Sequence, residues 1–152
     1  MPNARSLLSD VVFNDVRATV LDNNPGMDPD LASRILADAL AFVATAASAP
    51  GQALVPSRAV DEGWHALILH TPLYYSLCAR FGNFVHHLPQ RPDPGRSNQA
   101  VLERTITAIK AAGYEVDRDL WRSPDDQLVR VAASCQHSDE SGPIVLIPKP
   151  KG

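Results

Sequence analysis

Apolar residues recur at helical spacing along most of the chain, and the interruptions between them are prolines, glycines and small polar residues. From Ala4 to Leu21 a loose stripe of Leu7, Val11, Val12, Val16, Val20 and Leu21 predicts a first helix, stopped by Asn23-Asn24-Pro25-Gly26. A second helix has a sharper start, with Asp28 as cap and Pro29 in the first helical position. Its stripe of Leu31, Ile35, Ala39, Phe42 and Ala46 is widened by Leu36, Leu40 and Val43. A helix apolar on more than one face needs neighbours on more than one side, so this one is expected at the centre of the domain.

The third helix should begin after Ser57 and run to about His70, where Thr71-Pro72 resets the chain as a new cap and first-turn proline. The fourth follows from Pro72 to about Phe81, carrying Leu73, Leu77, Cys78 and Phe81, and Gly82 ends it. A short turn at Thr71 folds the two into an antiparallel hairpin, with His65 and Cys78 at similar heights and facing each other. Further on, Gly95 to Ala112 reads as an amphipathic helix with Ser97 as cap and Gly113 as stop, and Ser123-Pro-Asp-Asp opens another that carries Cys135 to its far end. The residues Ile144 to Ile147 have strand-like composition without an evident partner strand. The expected architecture is therefore all-α: a single compact helical domain of about five helices over residues 1–137, with an extended or flexible irregular tail over 138–152.

Length and charge narrow the classes. At 152 residues the chain suits one domain that buries its core without disulfides or an obligatory metal. Its net charge of −3 comes from mixed charges with no basic run, which argues against nucleic acid and anionic membrane as partners. Nowhere do eighteen apolar residues run together, and the first residues lack an apolar core, so neither a membrane span nor a signal peptide is expected and the protein reads as cytoplasmic. In a reducing compartment Cys78 and Cys135 are better read as thiols or ligands than as a disulfide.

Candidate chemistry gathers between Val55 and Pro89. Asp61 and His65 are four residues apart on one helix, close enough for a carboxylate to orient an imidazole. Gly63 inside the same helix signals the close approach of another backbone or of a ligand. After Gly82, a short segment returns His86 and His87, of which an extended chain directs only one inward. Imidazole and thiolate suit a transition metal, so zinc, iron or copper is expected on His65, Cys78 and His86 or His87, with Asp61 behind them and Cys135 and His137 as outlying ligands. Trp64, Tyr74 and Tyr75 would line a pocket beside them or fill the core. Two other readings use the same residues. In one the motif only stiffens the hairpin of a non-catalytic partner-binding module; in the other Cys78 is a nucleophile with His65 as base and Asp61 as orienting acid.

The run Val55-Pro-Ser-Arg-Ala-Val-Asp-Glu-Gly-Trp-His, with Thr71, Tyr74, Cys78, Gly82 and His86-His87-Leu-Pro89 after it, resembles the glycine-rich domain-containing protein-like family, a group of unknown function that includes small bacterial proteins. The resemblance covers about a quarter of the chain and rests on its Asp-x-x-Trp-His and His-His-x-Pro elements. It implies a mostly helical domain, with Asp61, Trp64, His65, Cys78, His86 and His87 as motif positions, and no settled activity. The glycine-rich segment that names the family is missing, so the chain looks like a small single-domain bacterial member. Taken together, the sequence favours a small cytoplasmic metal-binding protein whose metal could serve an enzymatic step, with a small molecule, protein or peptide as its partner.

Overall fold

The computed structural model describes residues 3–87 and 99–122. Among these residues the fold is all-helical: α1 (Asp10–Asn23), α2 (Pro29–Ser48), α3 (Arg58–Leu69), α4 (Thr71–Phe81) and α5 (Gln99–Ala111), with 3-10 turns at Ala4–Leu7 and Arg118–Leu120 and no strand. The helix expected from Ser123, its Cys135 and His137, and the 138–152 tail lie outside the described residues.

The first helix differs from the sequence reading at its start. Instead of one helix from Ala4, a 3-10 turn capped by Asn3 comes first, and the Ser9 hydroxyl then accepts the Val12 N–H at 3.3 Å to begin α1. Small polar side chains that bond the nearby backbone favour such breaks over helix continuation. The inward face shifts accordingly: Phe13, Val16 and Val20 are buried, whereas Val11 is 72% exposed.

α2 is the core helix. Leu31, Ile35, Leu36, Ala39, Leu40, Phe42 and Val43 are all buried, and the helix packs against α1, α3, α4, α5 and the first 3-10 turn. Pro29 stands in its first turn as expected, although Asp28 makes no side-chain capping bond. By length and composition alone α2 would suit a membrane span, yet most of it is buried inside the domain, as a core helix of this length must be.

Gly63 allows α3 to lie against that core. A Cβ at this position would stand 2.8 Å from Ala39 Cβ and 3.0 Å from the Ile35 carbonyl oxygen, so the close approach inferred from the sequence is that of α2. The Ser57 hydroxyl accepts the Val60 N–H at 3.1 Å to start α3. His70 alone separates α3 from α4, and its Nε2 lies 2.8 Å from Thr19 Oγ1, which ties this corner to α1. Pro72 occupies the first turn of α4, and Gly82, with φ of 115°, ends it in the left-handed conformation. α5 turns Leu102, Thr105, Ile106 and Ile109 inward, and Thr105 Oγ1 accepts the Val55 N–H at 3.0 Å, fastening the loop that leads into α3. Gly113, with φ of 98°, follows its end; the predicted cap Ser97 lies outside the described residues.

Candidate functional site

The segment after Gly82 folds back on α3 and α4 and is held there by a relay of polar contacts. Trp64, on the buried side of α3, donates its indole N–H to the Tyr74 hydroxyl at 3.0 Å, and that hydroxyl donates to the Val85 carbonyl. Burial raises the Tyr74 pKa, so the phenol keeps the proton that this second bond needs. Two residues further, the His87 ring meets the Trp64 ring edge-on with centroids 4.4 Å apart, and His87 Nε2 lies 3.1 Å from Asp61 Oδ1. The bond to Asp61 raises the His87 pKa against the opposing effect of burial, which favours an imidazolium paired with a carboxylate. On the other side Asn83 donates to the Ala47 carbonyl at the end of α2, at 2.9 Å. Asp61, Trp64, Tyr74 and His87 thus form a clasp that fixes residues 83–87 to the helices.

The clasp sorts the residues singled out in the sequence. His87 turns toward Asp61 and Trp64, whereas His86 is exposed, with its ring 4.8 Å from that of Phe84. His65 is half-buried, its ring centroid 6.5 Å from that of His87. Cys78 is only 1% exposed and packs in the apolar core with Leu77. Tyr74 is buried, while its neighbour Tyr75 is 67% exposed. The Asp61 carboxylate reaches an imidazole from outside its own helix, a pairing that spacing within α3 does not reveal.

This arrangement overturns the metal-binding expectation for His65, Cys78, His86 and His87. Among the described residues no group of three or more histidine, cysteine, aspartate or glutamate side chains is placed to hold a metal ion. The physical reason is visible in the elements: α4 directs Cys78 into the core, and the return segment sends His86 outward while Asp61 engages His87. Burial also removes Cys78 from the exposed, electropositive setting in which a thiol becomes a nucleophile. The outlying ligands Cys135 and His137 lie outside the described residues.

A second polar constellation escaped the sequence reading. Asp38, on α2, is buried, and its Oδ2 accepts both the Trp121 indole N–H and the Asp117 backbone N–H, each at 2.9 Å. Burial pushes its pKa up to about 6, although the two hydrogen bonds act in the opposite direction. Arg34, one turn earlier, pairs with Asp117 at 2.6 Å. A signal was present: Asp38 is the only charged residue from Ile35 to Ser57, and a lone charge in an apolar helix needs buried partners. Phe84, 46% exposed and ringed by Tyr74, Tyr75 and His86, was missed as well.

No curated protein and no solved structure matches this chain. The UCP032817-like family model matches residues 5–111, a span that takes in α1 to α5 and the whole clasp. This match corrects the resemblance drawn from the Asp-x-x-Trp-His and His-His-x-Pro elements, because nothing in it points to a glycine-rich domain-containing family. Since the model covers well over half of the sequence, the chain belongs to the UCP032817-like family.

Proposed function

We propose that this protein is a non-catalytic binding module that presents a helical surface to a protein or peptide partner. The observation that carries this reading is the use made of the motif's polar atoms. The Trp64 N–H, the Tyr74 hydroxyl, the Asp61 carboxylate and His87 Nε2 are engaged with one another or with the Val85 carbonyl, and Cys78 is in the core. Residues that spend their hydrogen bonds internally stiffen a surface rather than transform a substrate. What the clasp holds up supports the same reading: Phe84 and His86 stand outside it, in a segment fixed at Asn83, Val85 and His87. A preorganised segment loses little entropy on binding, as a recognition surface requires.

The test is selection of short random peptides against the immobilised protein, followed by affinity measurement on Cys78→Ala and His65→Ala variants that retain their helical circular dichroism. Peptides should be enriched, and their affinities should stay within about threefold of wild type on both variants, since Cys78 lies in the core and half-buried His65 is outside the presented segment. Failure to enrich any binder, or loss of binding with Cys78→Ala in a folded protein, would remove the reading.

A further inference from the structure

One phenylalanine touches both places where irregular chain is fastened to the helices. Phe42, buried on α2, meets the Trp64 ring edge-on with centroids 5.0 Å apart and the Trp121 ring with centroids 6.4 Å apart. Asp38 lies four residues earlier, hence on the same face of α2, and accepts the Trp121 N–H. A row of rings therefore runs from Trp121 through Phe42 and Trp64 to His87, with a carboxylate at each end, Asp38 on Trp121 and Asp61 on His87. The row has little slack. Gly63, next to Trp64 in sequence, brings α3 so close to α2 that even a Cβ there would stand 2.8 Å from Ala39 Cβ, so the Trp64 backbone has no room to follow a shifted ring inward. A close-packed interior answers the loss of a neighbour by repacking side chains.

Trp64 carries both holds on the return segment: its N–H opens the relay through Tyr74 to Val85, and its ring packs on His87. Departure of Trp121 frees one side of Phe42, and Phe42 is in turn a ring neighbour of Trp64. We propose that Phe42 couples the two attachments, so that release of residues 117–121 loosens the clasp on residues 83–87. Order in the segment that carries Phe84 and His86 is then set from the Trp121 end of the row. The coupling goes beyond the binding-module reading and does not depend on it.

Asp38 makes the release adjustable by pH. Burial holds its carboxyl at about 6, and departure of the segment lets it return toward its ordinary 3.8, so rising pH favours release by up to about a hundredfold between those values. The charges that act on Asp38 are Asp117 on the segment and Arg34 on α2. On the other elements packed against α2 the charged groups have partners elsewhere: Arg5 with Asp10, Arg17 with Ser33, Asp61 with His87, Glu62 with Asn24, Arg80 with the Leu7 carbonyl and Glu103 with Arg118.

Native-state amide exchange on the full chain, corrected for its intrinsic pH dependence, tests the coupling. In Trp121→Phe, which keeps a ring but loses the N–H, amides of 117–121 and of 83–87 should both exchange at least about threefold faster than in wild type. In wild type both sets should lose protection as pH rises from about 4 to about 6, below the ordinary His87 value of 6.5, and Asp38→Asn should abolish both losses. Phe42→Leu should keep the pH response at 117–121 and remove it at 83–87. In either experiment, faster exchange at 117–121 without a change at 83–87 overturns the coupling, and so does a response at 83–87 that survives in a folded Phe42→Leu. Equal protection of both segments and of the buried α2 amides overturns it too, because the chain then opens only as a whole. No response at 117–121 to either pH or Trp121→Phe has the same force, since there is then no release to transmit. Should Phe42→Leu or Trp121→Phe not fold, wild type against Asp38→Asn decides.

Discussion

Two tryptophans fasten irregular chain to the same helical core, and they do it by different physics. At Trp121 the irregular segment supplies the ring: it is 1% exposed, lies with its centroid 6.4 Å from that of Phe42, and gives its N–H to a carboxylate on the core helix. At Trp64 the ring belongs to a helix, its centroid 5.0 Å from that of Phe42, and the segment is held through a relay that runs from its N–H through Tyr74 to Val85. The first attachment depends on buried volume aimed by one charge, the second on a row of hydrogen bonds at a half-buried edge. The difference predicts which attachment tolerates substitution and at which pH each weakens.

The largest effect should come from Trp121→Ala, which removes a large buried ring and leaves the Asp38 carboxylate without one of its two donors. We expect a loss of about 3–5 kcal/mol in urea unfolding, enough to expose the 117–121 segment to proteolysis; a loss below about 1 kcal/mol would mean that this segment is not part of the folded unit. The next effect is in pH. Asp38 has a folded pKa of about 6 against an ordinary 3.8, so the folded state holds the extra proton. A raised pKa means that its contribution is fully present below the unfolded value and lost as pH rises through the folded one. Wild-type stability should therefore fall by roughly 3 kcal/mol as pH rises through this window. Asp38→Asn, whose amide oxygen can still accept from Trp121 and Asp117, should show a flat profile there. An unchanged profile in Asp38→Asn would sink the assignment.

The clasp is the more legible of the two in sequence. Asp61, Trp64 and His65 stand out by residue type, and the helix boundaries at Ser57 and Gly82 follow from capping chemistry that is local to a few residues, whereas Thr71, expected as a cap, is the first residue of α4 and His70 precedes it as cap without a side-chain bond. The pairing of those residues was not legible, because it depends on where the chain turns after Gly82, and nothing local says that His87 rather than His86 faces Asp61. Cys78 shows the same limit from the other side. It has the same stripe position whether it meets a neighbouring helix core or a metal, and only packing against α2 decides. The Trp121 attachment was less visible still, since it joins residues 83 positions apart and its one clue is a single aspartate in an apolar helix.

Within the clasp, Tyr74→Phe isolates the relay. The ring stays, but the Trp64 N–H and the Val85 carbonyl lose their shared partner, which should cost about 1–3 kcal/mol and speed amide exchange in residues 83–87. Equal protection of that segment in the variant would show that packing alone holds it.

The smallest effect is the one that separates the two attachments most cleanly. His87 is raised above its ordinary value of 6.5, chiefly by its bond to Asp61, so its contribution is fully present below that value and fades as pH rises through the folded pKa. Asp38 has the same sign for the opposite reason: burial disfavours its charged form, whereas Asp61 favours the charged form of His87. The windows differ, with Asp38 complete by about pH 6 and His87 acting only above the ordinary imidazole value. For a pair whose side chains are 26% and 42% exposed, solvent screening limits the effect to roughly 0.2–1 kcal/mol. Asp61→Asn should lower the His87 midpoint in an NMR titration, make the protein slightly less stable at mildly acidic pH, and converge with wild type at alkaline pH. A His87 midpoint that does not move would assign its orientation to the Trp64 ring alone, and of the two attachments only the one at Trp121 would then depend directly on pH in this range.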